Sequence, residues 1–150
     1  MRCVPLLLLA LAFAGCSKYA GDTRENVAES RARIDIAELG NFSFDNSNGT
    51  LADVPQSTRK LEGQTVEVAG EVYLPDTNGK FLLARRNLEA PLSQRIIICQ
   101  FPDHRAHGLD EKTWVKVVGK FHIRIEKDET DRIKPIFRIE VQKATTAALP

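Results

Sequence analysis

At 150 residues the chain has room for one domain, and 43% hydrophobic with 27% charged residues is the composition of a folded protein, not of a disordered or fibrous one. A formal net charge of +1 excludes the strong basic excess of a dedicated nucleic-acid binder. Cys3, Cys16 and Cys99 have neither CxxC spacing nor a zinc-finger arrangement, so no sulfur-rich metal module is written into the chain.

After Met1-Arg2-Cys3, residues 4–15 are apolar or small and carry no charge. A bilayer span takes about 20 apolar residues, so this run is too short to cross one. A charged start, a short apolar centre and a small-residue exit have the grammar of an export signal. The exit, Phe13-Ala14-Gly15-Cys16, resembles that of a bacterial lipoprotein signal, with Phe13 where the usual pattern has Leu. The resemblance implies that residues 1–15 are a signal peptide and that Cys16 is lipidated as the first mature residue. Loss of Arg2 with that segment takes the formal charge from +1 to zero. Each buried acyl CH₂ contributes about 0.8 kcal/mol, and more than one chain makes a stable anchor. Ser17 after the cysteine implies, by resemblance to enterobacterial sorting, the outer membrane facing the periplasm.

Residues 16–53 read as a tether and docking segment. Asp22 with Glu25 fits a capping box, so residues 23–33 are either a short solvated helix or a flexible tether. Ile34, Ile36, Leu39, Phe42 and Phe44 then predict docking on the main domain, and residues 46–49 have turn chemistry. Asp53 as cap, Pro55 in the first turn and Gly63 as terminator predict a helix of one to two turns.

From Gln64 the period becomes two. Val66, Val68, Val72 and Leu74 fall on one face and Thr65, Glu67, Glu71 and Tyr73 on the other, with a bulge or bend at Gly70. Asn78-Gly79 signals a hairpin into a second strand at residues 80–86. After a loop at 87–94, residues 95–101 are apolar on both faces and predict a central strand. In residues 114–127, Val115, Val117, Phe121, Ile123 and Ile125 face inward, while Trp114, Lys116, Lys120, His122 and Arg124 face outward, with a bend at Gly119. The last strand, 132–143, turns Ile133, Phe137, Ile139 and Val141 inward, and Pro135 marks an edge because it has no N–H. A frayed tail follows, disordered over 146–150. The expected fold is mainly β: a small five-stranded OB-like barrel over residues 54–145, preceded by a short helix and a partly ordered N-terminal segment. A sandwich would take more strands.

The stretches "LEGQTVEVAGEVYLP", "FLLARRNLE", "IIIC" and "WVKVVGKFHI" resemble a group of uncharacterised exported bacterial proteins. Those carry a short helix, an L-x-G-x-x-V-x-x-x-G first strand, an F-L-L-x-R second strand and an OB-like barrel. The resemblance covers residues 54–141 and implies a fold, not an activity. Where some of those proteins carry paired cysteines after the second strand, this chain reads Asn87-Leu88-Glu89-Ala90-Pro91, so a metal or redox role does not carry over.

Cys99 shares a strand face with Ile97 and Phe101 and reads as a small buried hydrophobe. With His104 and His107 it forms a candidate metal set suited to zinc or copper, and an alternative reading as a metal-handling or redox accessory protein. Loop histidines are ordinarily just solvated. The outward row Trp114, Lys116, Lys120, His122 and Arg124 is the candidate ligand surface, joined by Arg85, Arg86 and Arg95 around the 87–94 loop. Basic side chains beside an aromatic suit an anionic ligand; the plain alternatives are a solvated face guarding an edge and arginines paired with Glu89. Nucleic acid is disfavoured, because an exported protein seldom meets it and Phe101, Phe121 and Phe137 fall in core-facing registers. No GxSxG, HExxH or phosphate-cradling glycine loop is present, so an enzyme is the minority reading. The expectation is a membrane-anchored bacterial envelope lipoprotein acting as a binding or accessory module, with an envelope protein or an anionic ligand as partner and no required cofactor.

Overall fold

Alternating burial builds the strands, because side chains of an extended chain point to opposite faces in turn. The computed structural model describes residues 31–85 and 96–148. They form six strands, β1 (Ala32–Ile34), β2 (Thr65–Tyr73), β3 (Lys80–Ala84), β4 (Ile96–Gln100), β5 (Trp114–Lys127) and β6 (Ile133–Thr146). Two single-turn helices, α1 (Ile36–Leu39) and α2 (Gln56–Arg59), and a 3₁₀ turn at Leu51–Asp53 precede β2. The expected signal peptide, Cys16, the Asp22 capping box, Arg86, Arg95 and the 87–94 loop lie outside the described residues.

The fold is mainly β, a mixed six-stranded sheet in the order β1-β2-β3-β4-β6-β5, with β2 also paired to β5. The β1–β2 and β4–β6 pairs are parallel and the others antiparallel. β2 meets β5 over residues 65–71 while its other edge takes β1 over 66–68 and β3 over 71–73. β4 has β3 on one side and β6 on the other, the central position its two apolar faces predict. The β4 ladder touches β6 only at residues 137–140, so among the described residues Pro135 has a strand on one side alone, where its missing N–H is tolerated.

The inward side chains of the strands form one core. Val66, Val68, Phe81, Leu83, Ile97, Val115, Val117, Phe121, Phe137, Ile139 and Val141 are buried, and the rings of Phe121 and Phe137 stack with centroids 5.8 Å apart. Ile34, Ile36, Leu39, Phe44 and Val54 belong to the same cluster, so the segment ahead of β2 packs as part of the domain. Gly119 sits where the β5–β6 register shifts: Val118 pairs with Lys143 but Gly119 with Val141, leaving Gln142 as an extra residue. A Cβ at Gly119 would collide with the Glu140 carbonyl oxygen, so the close approach needs glycine.

Several expectations are corrected. Ala32 and Arg33, assigned to the end of a helix or tether, are strand residues paired with Val66 and Glu67. Asp53 does not start α2; its carboxylate accepts from Thr50 N (2.7 Å) and Thr50 Oγ1 (3.0 Å), closing the turn before it. Leu74 does not face the core. β2 ends at Tyr73, Leu74 takes φ 47° and is 69% exposed, because the turn organised by the Asp76 carboxylate has already begun. Glu71, expected on the wet face, is buried and accepts from the Tyr73 hydroxyl at 3.0 Å. The chain does not fray at 144: β6 runs to Thr146, and Ala147 N donates to Trp114 O at 3.0 Å.

Candidate ligand-binding cleft

The outward residues of β3, β4, β6 and β5 line up in rows across the strands. Lys80 is opposite Gln100, Gln100 opposite Glu140, and Glu140 opposite Lys120. The next row runs Leu82, Ile98, Arg138, His122. In the row after that, Arg124 faces Ile136. Cross-strand neighbours on one face lie about 5 Å apart, so each row is a contiguous strip of surface. Over part of these rows lies an open cleft of about 580 Å³. Ile98 and Pro102 give it an apolar floor, and Lys80, Arg124, Arg138, His104 and His122 surround that floor.

Positive charge in the cleft is only partly compensated. Arg138 Nη2 donates to Glu126 Oε1 at 2.7 Å. Among the described residues neither Lys80 nor Arg124 has an ion-pair partner. Glu140 is the acid in the lining.

His122 is held from outside the strand. Glu62, on the turn after α2, places Oε1 3.0 Å from His122 Nδ1, and its Oε2 accepts from Ile123 N at 2.6 Å. A carboxylate only accepts, so the shared proton sits on Nδ1 and leaves Nε2 as the acceptor of the neutral ring. The far end of the cleft is fixed by Gln100, whose side-chain amide donates to Asn78 O (2.7 Å) and Phe101 O (3.2 Å). Gly79, in the left-handed region at φ 72°, lets the β2–β3 turn approach Arg105, where a Cβ would strike the Arg105 carbonyl.

Of the row expected on β5, His122 and Arg124 line this cleft, and Lys120 stands beside Glu140 at its border. Trp114 and Lys116 do not line it. They lie beyond the Gly119 bend, where Lys116 Nζ meets Glu67 Oε1 at 3.3 Å and half-buried Trp114 is opposite Glu71. Arg85 is exposed just past β3. Lys80, Gln100, Arg138 and Glu140 were missed by sequence reading. Their outward parity was visible in each strand, but only the register brings four strands' residues into one cleft.

The expected metal set is not brought together. The Cys99 side chain is fully buried, with Sγ 4.0 Å from the Ile97 carbonyl oxygen, and desolvation pushes its thiol pKa well up. His104, at φ 51°, lines the cationic cleft. His107 instead stacks on Phe101 (centroids 3.8 Å apart) and places Nε2 3.0 Å from both Asp103 oxygens. That contact is the main reason the Asp103 carboxyl lies below its ordinary range. Among the described residues no three His, Cys, Asp or Glu side chains form a metal-holding group.

No family model matches the sequence, and no curated protein matches it. Among solved structures, a DUF3299 family protein from Pseudomonas aeruginosa PAO1 is similar to this chain at 15% identity and a TM-score of 0.47, over 77% of this chain and 80% of that one. A putative aspartyl-tRNA synthetase from Leishmania major Friedlin is similar at 13% identity and a TM-score of 0.45, over 83% of this chain. The likeness spans 22% of the synthetase's length.

Proposed function

We propose that the protein is a bacterial envelope lipoprotein, exported by residues 1–15, anchored through lipid on Cys16 at the periplasmic face of the outer membrane, and acting as a binding or accessory module. We read β2 to β6 as an OB-like barrel. The pairing sequence β2-β3-β4-β6-β5 and back to β2, with β4 and β6 parallel, supports that reading, since it gives each strand two neighbours in a five-stranded Greek-key order. OB barrels take ligands on the outer face of their second and third strands, here β3 and β4. The observation that carries the binding role lies on that face. The cleft holds unpaired Lys80 and Arg124, with Arg138 between them in the strand order and half-buried Ile98 beneath. Cations with no internal partner keep a positive field available to an anionic ligand.

Two substitution sets test the two halves of this reading. C16A should move the protein out of the membrane fraction; continued tight association overturns the anchor. A Lys80→Glu/Arg124→Glu variant should lose crosslinked envelope partners in native membranes while remaining in the membrane fraction. An unchanged crosslinking pattern removes the cleft as the binding surface.

A further inference from the structure

The cleft offers two kinds of polar group at once, and this narrows what fits it. Lys80, Arg124 and Arg138 are cationic donors. With its Nδ1 proton directed to Glu62, the neutral His122 ring accepts through Nε2, and Glu140 is a further acceptor in the same lining. A phosphate polymer has oxygens for the cations but no donor for His122 or Glu140. A peptide has both: carboxylates for the cations and backbone N–H groups for the acceptors. The floor points the same way. Ile98 is half-buried between Leu82 and Arg138, and Pro102 is a second apolar group in the lining. An apolar side chain placed there leaves water without exposing the charges on either side. The lining contains no Trp, Tyr or Phe on which bases would stack.

Spacing sets the ligand's shape. Lys80 and Arg124 are on β3 and β5, three strand steps apart through β4 and β6. Three steps of about 4.8 Å, combined with an offset of two rows, about 13 Å along the strands, put their backbones roughly 20 Å apart. A ligand that meets both cations in place is extended and crosses the strands. Resting on the proposal that this cleft is the binding surface, we infer that its ligand is an extended acidic peptide segment, with an apolar side chain seated on Ile98 between carboxylates directed to Lys80 and Arg124. His122 and Glu140 accept from the segment's backbone, and Glu62 positions His122 for this by holding its other nitrogen.

The test uses protein expressed from the full sequence and purified in mild detergent, titrated with a fluorescent Glu-Ser-Leu-Ser-Glu peptide, whose Glu and Leu side chains share one face when extended. The parallel probes are Gln-Ser-Leu-Ser-Gln, hexaglutamate, inorganic polyphosphate and phosphatidylglycerol vesicles. The Glu/Leu peptide should bind at least tenfold more tightly than either control peptide. Lys80→Gln/Arg124→Gln should weaken it at least tenfold, and Ile98→Thr at least threefold, with an unchanged near-ultraviolet circular dichroism spectrum. Because strand substitutions can unfold a barrel, Arg85→Gln, outside the cleft, is the matched control and should leave binding unchanged. Equal binding of hexaglutamate overturns the apolar seat. Binding of polyphosphate or vesicles but not of the Glu/Leu peptide overturns the peptide assignment and leaves the cleft as a binding surface. No binding by any probe overturns the inference and the cleft reading together.

Discussion

Cys99 shows how burial decides chemistry at a single residue. Its thiol faces the core of a central strand, and its pKa is raised by desolvation alone. The thiolate is the nucleophile and the metal ligand, so a thiol that stays protonated is inert in both roles. In the native protein, N-ethylmaleimide at pH 8 should leave Cys99 unmodified, and peptide mass spectrometry should find full labelling only after urea unfolding. Rapid labelling of the native chain would overturn the burial argument. The same shift gives a pH dependence with a definite sign. The native pKa lies above the unfolded value near 9. Cys99 therefore contributes its full stability below pH 9 and loses it as pH rises, because the unfolded chain ionises first. A Cys99→Ala chain should lose less stability between pH 8 and pH 10.5 than the parent in urea titrations. The buried hydrophobe was legible in the sequence from one face-sharing pattern, Ile97-Cys99-Phe101. The rival metal set rested on spacing along the chain, but Cys99 points into the core while His107 stacks on Phe101 and meets Asp103.

At the scale of the element, the β5–β6 hairpin depends on one contact. Each strand is 14 residues long, and a pair that long follows the surface of the core only if it bends. The bend falls at Gly119, against the Glu140 carbonyl and 2.6 Å, on adding a Cβ, from Ile139 Cγ2. Gly119→Ala therefore pushes backbone against backbone and should cost about 2–3 kcal/mol, the upper range for overpacking. Urea unfolding measures it, and a loss below about 0.5 kcal/mol would mean that the bend does not need the close approach. The sequence carried most of this hairpin, since inward and outward residues alternate along β5 and along β6 to Val141; the extra residue at Gln142 breaks the period, and the last residues of β6 read as tail. It did not carry β1. Three residues form too short a run for any period to register, and the partner of Ala32, Val66, lies 34 positions away in sequence. Leu74 failed for a related reason: alternation counts faces but does not say where the Asp76 turn takes over from the ladder.

For the whole molecule, the same distinction separates the fold from the site. Strand periods located five of the six strands. The cleft depends on which strands are neighbours, and above all on the parallel β4–β6 pair that sets Arg138 beside Ile98 and opposite His122. No local pattern encodes that pairing. The segment ahead of β2 also belongs to the folding unit. β1 adds a parallel strand to β2, the Ile133 amide donates to Asn46 O at 2.7 Å, and Ile34, Ile36, Leu39 and Phe44 enter the common core. Burying each such side chain contributes about 1.5–3 kcal/mol, and a whole domain is stable by only about 5–15 kcal/mol. Four of them amount to roughly 6–12 kcal/mol, an upper estimate because unfolded chains already bury some apolar surface. A chain starting at residue 54 should therefore lack a cooperative unfolding transition, whereas one starting at residue 31 should unfold in urea with the midpoint of a chain of residues 16–150. Circular dichroism of the two truncations decides it. If the shorter chain melts cooperatively at an undiminished midpoint, residues 31–53 are only a tether. If only the longer chain does, residues 31–53 are part of the folding unit.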